Sequence, residues 1–242
     1  MKGLILAAGK GTRLAELKLA HKSFAMINAK RVIDYSLELL ANNGTEPLVN
    51  EIIIVVGYHA EEIINYVGNV YNGIPIKYVY QQEQKGIAHA VMTAAEVIND
   101  DFVMCLADEI LINPKLRDMI KLFYEFHADV VCGAVVDATD FSMKPIAYQV
   151  DERQNVRAVT EKPSAYENAY RGIGECVFKK EVLKYLETLS PNPRKGEYEM
   201  GDWIRMAIED NKTVKIFELA DAYANINYAA DIENASKIVG KG

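Results

Sequence analysis

The chain has 242 residues, half of them hydrophobic, and its 27 Lys and Arg against 34 Asp and Glu leave a net charge of -7. That is ample apolar material for one large α/β core, and the acidic balance excludes the clustered basic surface with which nucleic-acid binders hold phosphates, so no nucleic-acid partner is expected. No window reaches ~20 apolar residues and no basic segment precedes an apolar run at the N-terminus, so neither a membrane span nor a secretion signal is predicted, and the expected location is cytoplasmic.

In chain order, the first element is an apolar strand over 2–8, followed at once by Gly9-Lys10-Gly11-Thr12-Arg13. Gly9 and Gly11 allow a tight turn and a close ligand, the exposed amides form an anion nest, and Arg13 adds a forked donor for phosphate oxygens. A dinucleotide fingerprint would want Gly or Ala where Leu14 stands, and a P-loop would want Gly-Lys-Ser/Thr after four spacers. A glycine turn with a solvated Arg13 is the plainer alternative to a nucleotide grip.

Helical spacing then marks 30–43, 60–70, 86–98 and 114–127, alternating with strands over 51–57, 76–80, 101–107 and 129–136. Such alternation builds βαβ units on a largely parallel sheet. Its strands' carboxyl ends line one edge, where ligands of open sheets bind, and Gly9, Gln81 and Asp108 fall there. The second half changes character. Short strands over 148–150, 156–161 and 176–178 predict antiparallel additions, followed by helices over 179–188 and 199–210, a strand over 213–218 and a last helix from about 230. With no repeat, low-complexity stretch or linker, one domain over 1–242 is expected. Cys105, Cys132 and Cys176 are widely spaced without metal-site spacing and read as reduced core residues.

Beyond the glycine loop, His21-Lys22, the run Gln81 to Ala90, Leu106-Ala107-Asp108, Glu161-Lys162-Pro163, Gly174 in Gly-Glu-Cys-Val-Phe, Gly196 to Asp202 and Asn225-Ile226-Asn227 follow in order. In this order and spacing the chain resembles the sugar-1-phosphate nucleotidylyltransferases over nearly its whole length. The resemblance implies a Rossmann-like, GT-A-like three-layer nucleotidyltransferase fold with a mixed, mainly parallel central sheet. It divides the domain into a nucleotide-binding half, 1–136, and a sugar-phosphate-binding half, 137–242.

The same resemblance implies the site. Leu6, Ala7, Ala8, Gly9, Gly11, Thr12 and Arg13 would cradle the triphosphate, with Arg13 against the β- and γ-phosphates and Lys22 on the α-phosphate. Gln81 and Gly86 would meet the base, and Asp108 would hold Mg²⁺, joined by Asn227 or, second in preference, Asn225. Glu161, Gly174 and Ala147 would line the sugar site, and Lys162 would meet the acceptor phosphate. Arg13, Lys22, Asp108 and Lys162 form the implied catalytic set, joining an NTP and a sugar 1-phosphate by one in-line displacement. Positioning and neutralisation of like charges carry such chemistry.

The chain departs from the family pattern at several points. The segment from Ala15 to Lys22 is shorter and lacks prolines, Ala107 and Ala147 replace glycines, and Asn225 stands where many members have aspartate. These departures keep open a cytidylyltransferase acting on phosphocholine, inositol phosphate or a phosphonate. A non-catalytic nucleotide sensor would not need the full charge set, and a glycosyltransferase of similar shape would show Asp-x-Asp where this chain has Asp108-Glu109-Ile110. No acyltransferase β-helix is expected after the last motif, and the tyrosine-rich second half could supply a homo-oligomer interface.

Overall fold

A computed structural model describes residues 1–11, 22–42, 46–135, 146–161, 163 and 169–240. Thr12, Arg13, His21 and Lys162 lie outside the described residues. Strand β1 is Lys2–Ala7, a short hairpin pairs β2, Met26–Ile27, with β3, Lys30–Arg31, and helix α1 spans Val32–Ala41. There follow β4, Ile52–Val56; α2, Ala60–Val67; β5, Val70–Tyr71; β6, Ile74–Tyr80; α3, Ile87–Ala94; β7, Phe102–Leu106; β8, Glu109–Ile112; α4, Leu116–Glu125; and β9, Val130–Val135. The second half contributes β10, Ala147–Val150; β11, Val156–Thr160; β12, Tyr170–Phe178; a 3₁₀ segment, Lys180–Glu187; α5, Met200–Glu209; β13, Val214–Ala220; β14, Ala222–Asn225; and α6, Ala229–Val239.

The main sheet is mixed and draws on both halves of the chain. Its order is β11-β10-β12-β7-β1-β4-β6-β5, with β9 joining β12 and carrying β13. At the centre β7, β1, β4 and β6 run parallel, whereas β12 is antiparallel to both β7 and β9. Side chains of each central strand alternate between two apolar layers. Leu4, Ile53, Val55 and Met104 face α3, α5 and the 3₁₀ segment, while Ile5, Ile54, Val56 and Cys105 face α1, α2 and α4. Helices therefore cover both faces, which is why β1 and β4 are nearly continuous apolar runs rather than alternating ones.

The second-half layer is anchored by aromatics. Trp203 of α5 stacks on Phe178 of β12 with centroids 4.3 Å apart, Phe178 stacks on Phe102 of β7 at 5.2 Å, and the indole N–H donates to the Val182 carbonyl at 3.0 Å. Such stacks add about 0.5–1.5 kcal/mol each beyond their area, and this one ties the last helices to the middle of the sheet. Among the described residues no helix is long and apolar enough to cross a membrane.

Several elements differ from the sequence expectation, the β2–β3 hairpin and β5 among them. The strand expected over 176–178 extends back to Tyr170. Its first half contains Arg171, Gly172, Gly174 and Glu175, which hide strand character. The segment expected as an α-helix over 179–188 is a 3₁₀ turn series, a tighter winding that apolar spacing does not distinguish. The run after Asp108 forms a strand, β8, that leaves the main sheet and pairs with β14 to cover α6, through Ile110, Ala224, Ile226 and Ala235.

Candidate active site

The parallel strands end along one edge of the sheet, and a cavity of about 720 Å³ opens there. Leu6, Ala7, Ala8 and Gly9 at the end of β1, Gln81 after β6 and Asp108 after β7 share its wall with Lys22, Gly86, Glu161, Gly174, Asn225 and Asn227. Gly11 sits beside Lys22 rather than in the wall, with a positive φ of 60° and room for a Cβ only 3.3 Å from the Lys22 backbone nitrogen. Ala147 is also outside the wall, 4% exposed and paired in β10 with Thr160 and Arg171; Ile146 lines the cavity in its place. The expectations for Thr12, Arg13 and Lys162 fall on residues outside those described.

At the end of β1, Lys22 reaches across Gly9. A Cβ on Gly9 would lie 3.6 Å from Lys22 Cε, and the Lys22 ammonium is ion-paired with the Asp108 carboxylate. The two side chains are only 22% and 12% exposed, so their charges are poorly screened by water. The backbone carbonyl of Asp108 accepts from Ile226 N–H at 2.8 Å, fixing the 225–227 segment beside it.

Farther along the sheet edge, after β6, Gln81 is 3% exposed and its side-chain nitrogen lies 2.8 Å from His89 Nδ1 on α3. Burial, helped by Lys85, holds His89 below the ordinary histidine range, which keeps the imidazole neutral and able to accept from the Gln81 amide. Gln84 Nε2 donates to the Gln81 backbone carbonyl at 3.1 Å, so the residue is held through its side chain by His89 and through its backbone by Gln84.

The opposite wall comes from residues 197–201. Tyr198 N–H donates to the Lys85 carbonyl at 2.7 Å and Ala88 N–H to the Tyr198 carbonyl at 3.1 Å. This loop is thereby joined by backbone bonds to the start of α3. Glu161 Oε1 accepts from Gly201 N–H in the first turn of α5 at 2.8 Å, where a carboxylate also suits the helix dipole. Glu199 is held by Asn192 at 2.9 Å and by an ion pair with Lys195.

The feature that sequence reasoning missed is a buried pair of carboxyls, Glu109 of β8 and Glu175 of β12, 6% and 1% exposed. The available signal was a lone glutamate at the head of each of two apolar runs, Glu109-Ile-Leu-Ile and Glu175-Cys-Val-Phe. Glu109 accepts from Gly174 N–H at 2.9 Å and from the Asn225 amide at 3.1 Å, and is hydrogen-bonded to Glu175. Burial first, and Asp108 second, push Glu109 up to about 7. Glu175 is pushed further above the carboxylate range by burial and by Glu109, so it holds the shared proton.

That proton makes stability fall as pH rises. The unfolded Glu175 ionises near 4.5, so above that pH folding must take up a proton, and each further pH unit costs more until the folded group itself ionises. Glu175→Gln keeps a donor toward Glu109 and removes this cost. We expect the variant to be more stable than wild type at pH 8, with the gain vanishing as pH approaches 4.5, measured by urea denaturation at both values.

Comparison with known proteins places this arrangement in a family. The nucleotidyl transferase family model matches residues 2–231. The UTP–glucose-1-phosphate uridylyltransferase AglF of Haloferax volcanii is 31% identical over 241 residues, covering 98% of this chain and 96% of that protein. The low-salt glycan biosynthesis nucleotidyltransferase Agl11 of the same organism is 30% identical, covering 99% of this chain and 66% of that protein. In fold, a UDP-glucose pyrophosphorylase solved with UDP-glucose superposes with a TM-score of 0.84 at 22% identity, over 99% of this chain and 98% of that one. A glycine loop, a buried glutamine and a Lys22–Asp108 pair at one sheet edge, on a chain that these relatives match from end to end, identify it as a member of the nucleotidyl transferase family, among the sugar-1-phosphate nucleotidylyltransferases.

Proposed function

We propose that the protein joins an NTP to a sugar 1-phosphate, giving an NDP-sugar and pyrophosphate, with UTP and glucose 1-phosphate as the first pair to test. The observation that carries this reading is the Lys22–Asp108 pair beside the glycine loop. It supplies one cation and one carboxylate where two anionic substrates must meet. The choice of pair follows AglF, the relative matched over nearly all of both chains.

The cavity chemistry fits Mg²⁺. Among the described residues no cluster of three or more His, Cys, Asp or Glu could hold a metal by itself. The wall instead offers the Asp108 carboxylate with the amide oxygen of Asn227, hard donors of the kind Mg²⁺ takes alongside waters and phosphate oxygens. Bound there, the ion would neutralise charge on the reacting phosphates.

The residues of the chain then divide the work. Gln81, held by His89, reads the base edge, while Gly86 lets the base approach the backbone. Lys22 steadies the α-phosphate and Arg13 the phosphates that depart. Glu161 and Gly174 accommodate the sugar, and Lys162 brings the acceptor phosphate into line. No protein nucleophile is needed, because the acceptor phosphate is already ionised, and displacement inverts phosphorus. We place this chemistry in one domain over 1–242. A cytoplasmic setting agrees with three buried cysteines that remain thiols.

The test is pyrophosphate release with Mg²⁺, crossing UTP, CTP, dTTP, GTP and ATP with glucose, mannose and N-acetylglucosamine 1-phosphates and phosphocholine. Release with UTP and a sugar 1-phosphate supports the reading. Release confined to CTP and phosphocholine would replace it with the cytidylyltransferase alternative, and tight nucleotide binding without release across the grid would point to a sensor.

A further inference from the structure

Position 225 carries an amide where the family resemblance leads one to expect a metal-binding aspartate, and the structure supplies a reason. Asn225 of β14 lies directly across the antiparallel ladder from Glu109 of β8, and its side-chain nitrogen is 3.1 Å from Glu109 Oε1. A carboxylate at 225 would set two like charges at that distance in a buried site. Glu109 also borders the cavity, but both of its oxygens are engaged within the fold. Its Oε1 is taken by Asn225 and its Oε2 by Gly174 N–H, and it is 6% exposed.

Glu109 accepts at both oxygens, from Gly174 N–H and from Asn225 Nδ2, and this sets a direction along the next residues. Asn225 must turn its NH₂ toward Glu109, which leaves its carbonyl oxygen facing the other way. That oxygen accepts from the Asn227 side-chain NH₂ at 2.6 Å. Asn227 is therefore also turned, with its NH₂ spent on Asn225 and its oxygen left for the cavity that it lines together with Asp108. The bond from Ile226 N–H to the Asp108 carbonyl, 2.8 Å, holds the three residues at the Asp108 end of that cavity.

Resting on the metal-dependent reading above, we propose that Glu109 is a positioning residue that acts through Asn225 to aim the side-chain oxygen of Asn227 at the cation held by Asp108. Asn225 is the relay and Asn227 the ligand.

The test titrates Mn²⁺ into the full-length protein with UTP, reading free Mn²⁺ by electron paramagnetic resonance, for wild type, Glu109→Gln, Asn227→Ala and the double variant. Gln at 109 presents an NH₂ that reverses the relay, so Mn²⁺ affinity should drop by about 10- to 100-fold, the usual effect of losing an outer-shell partner. Asn227→Ala should show a similar drop, and the double variant should bind no more weakly than Asn227→Ala alone. Asn225→Ala, which cuts the relay in its middle, carries the same expectation and serves should Glu109→Gln fail to fold.

Unchanged Mn²⁺ affinity in Glu109→Gln, with only a lower Tm, would reduce Glu109 to a structural group and overturn the proposal. So would losses that multiply in the double variant, or a loss confined to Asn225→Ala, which would make Asn225 the ligand. A wild type that binds Mn²⁺ with UTP but releases no pyrophosphate would sink the reaction and leave the relay standing, whereas one that binds no Mn²⁺ would sink the relay.

Discussion

Asp108→Asn is expected to lower turnover by at least about 100-fold while leaving the protein folded, the scale of losing one preorganised charge at a reacting phosphate. Asp108 is 9% exposed, follows β7 at the sheet edge where the cavity opens, and is ion-paired with Lys22. Its amide replacement keeps size and backbone bonding, including the bond from Ile226 N–H. The fold should therefore lose only the ion pair, which costs up to about 3–5 kcal/mol where the two side chains are as buried as these. Steady-state pyrophosphate release at saturating substrates, beside a thermal melt, separates the two effects. Lys22→Met should lower affinity for the triphosphate along with turnover, because Lys22 would meet the nucleotide before as well as during displacement. If Asp108→Asn turned over within a few-fold of wild type, the reacting phosphates would have to sit elsewhere in the cavity.

How much of this was legible in the chain depends on where the information lies. The parallel centre of the sheet was readable because burial on both faces leaves continuous apolar runs, Leu4 to Ala8 and Ile52 to Val56 among them, and because helices with a 3.6 period separate them. Chain order also told which residues gather at the edge: Gly9, Gln81 and Asp108 end three strands that lie side by side or one apart. What the sequence hid was pairing between distant segments. Nothing in Glu109-Ile-Leu-Ile says that it will leave the main sheet and take Ala222–Asn225 as its partner, since register is set by a tertiary match of faces. Glu109 and Glu175 were invisible as a pair for the same reason. They are 66 positions apart along the chain, and only the pairing of β12 with β7 brings Gly174 and its neighbour to the start of β8. Ala147 is buried in β10 while its neighbour Ile146 lines the cavity, because successive side chains of an extended chain point to opposite faces.

Gly86→Ala is expected to raise the KM for both substrates together, each by at least about tenfold, the equivalent of ~1.4 kcal/mol of affinity. Gly86 has φ 102° and ψ 175°, a region that L-residues avoid at a cost of about 1–3 kcal/mol. A Cβ there would lie 2.5 Å from the Tyr198 carbonyl oxygen, 3.0 Å from its nitrogen and 3.2 Å from Glu197 Cβ. The obstacle is backbone, so no rotamer change relieves it. The 197–199 segment must move away, breaking the bonds from Tyr198 N–H to Lys85 and from Ala88 N–H to Tyr198. Those bonds join the stretch that follows Gln81 to the wall that leads into α5, where Glu161 caps Gly201. Displacing one side therefore loosens the base end and the acceptor end at once. Gly73→Ala is the matched control: its φ of 81° imposes comparable strain, but nothing lies within 4 Å of the added methyl, so it should lower Tm and leave both KM values alone. A Gly86→Ala enzyme whose NTP affinity fell while its acceptor KM stayed at the wild-type value would show that the two walls move independently, and that the backbone bonds between them carry packing but no coupling.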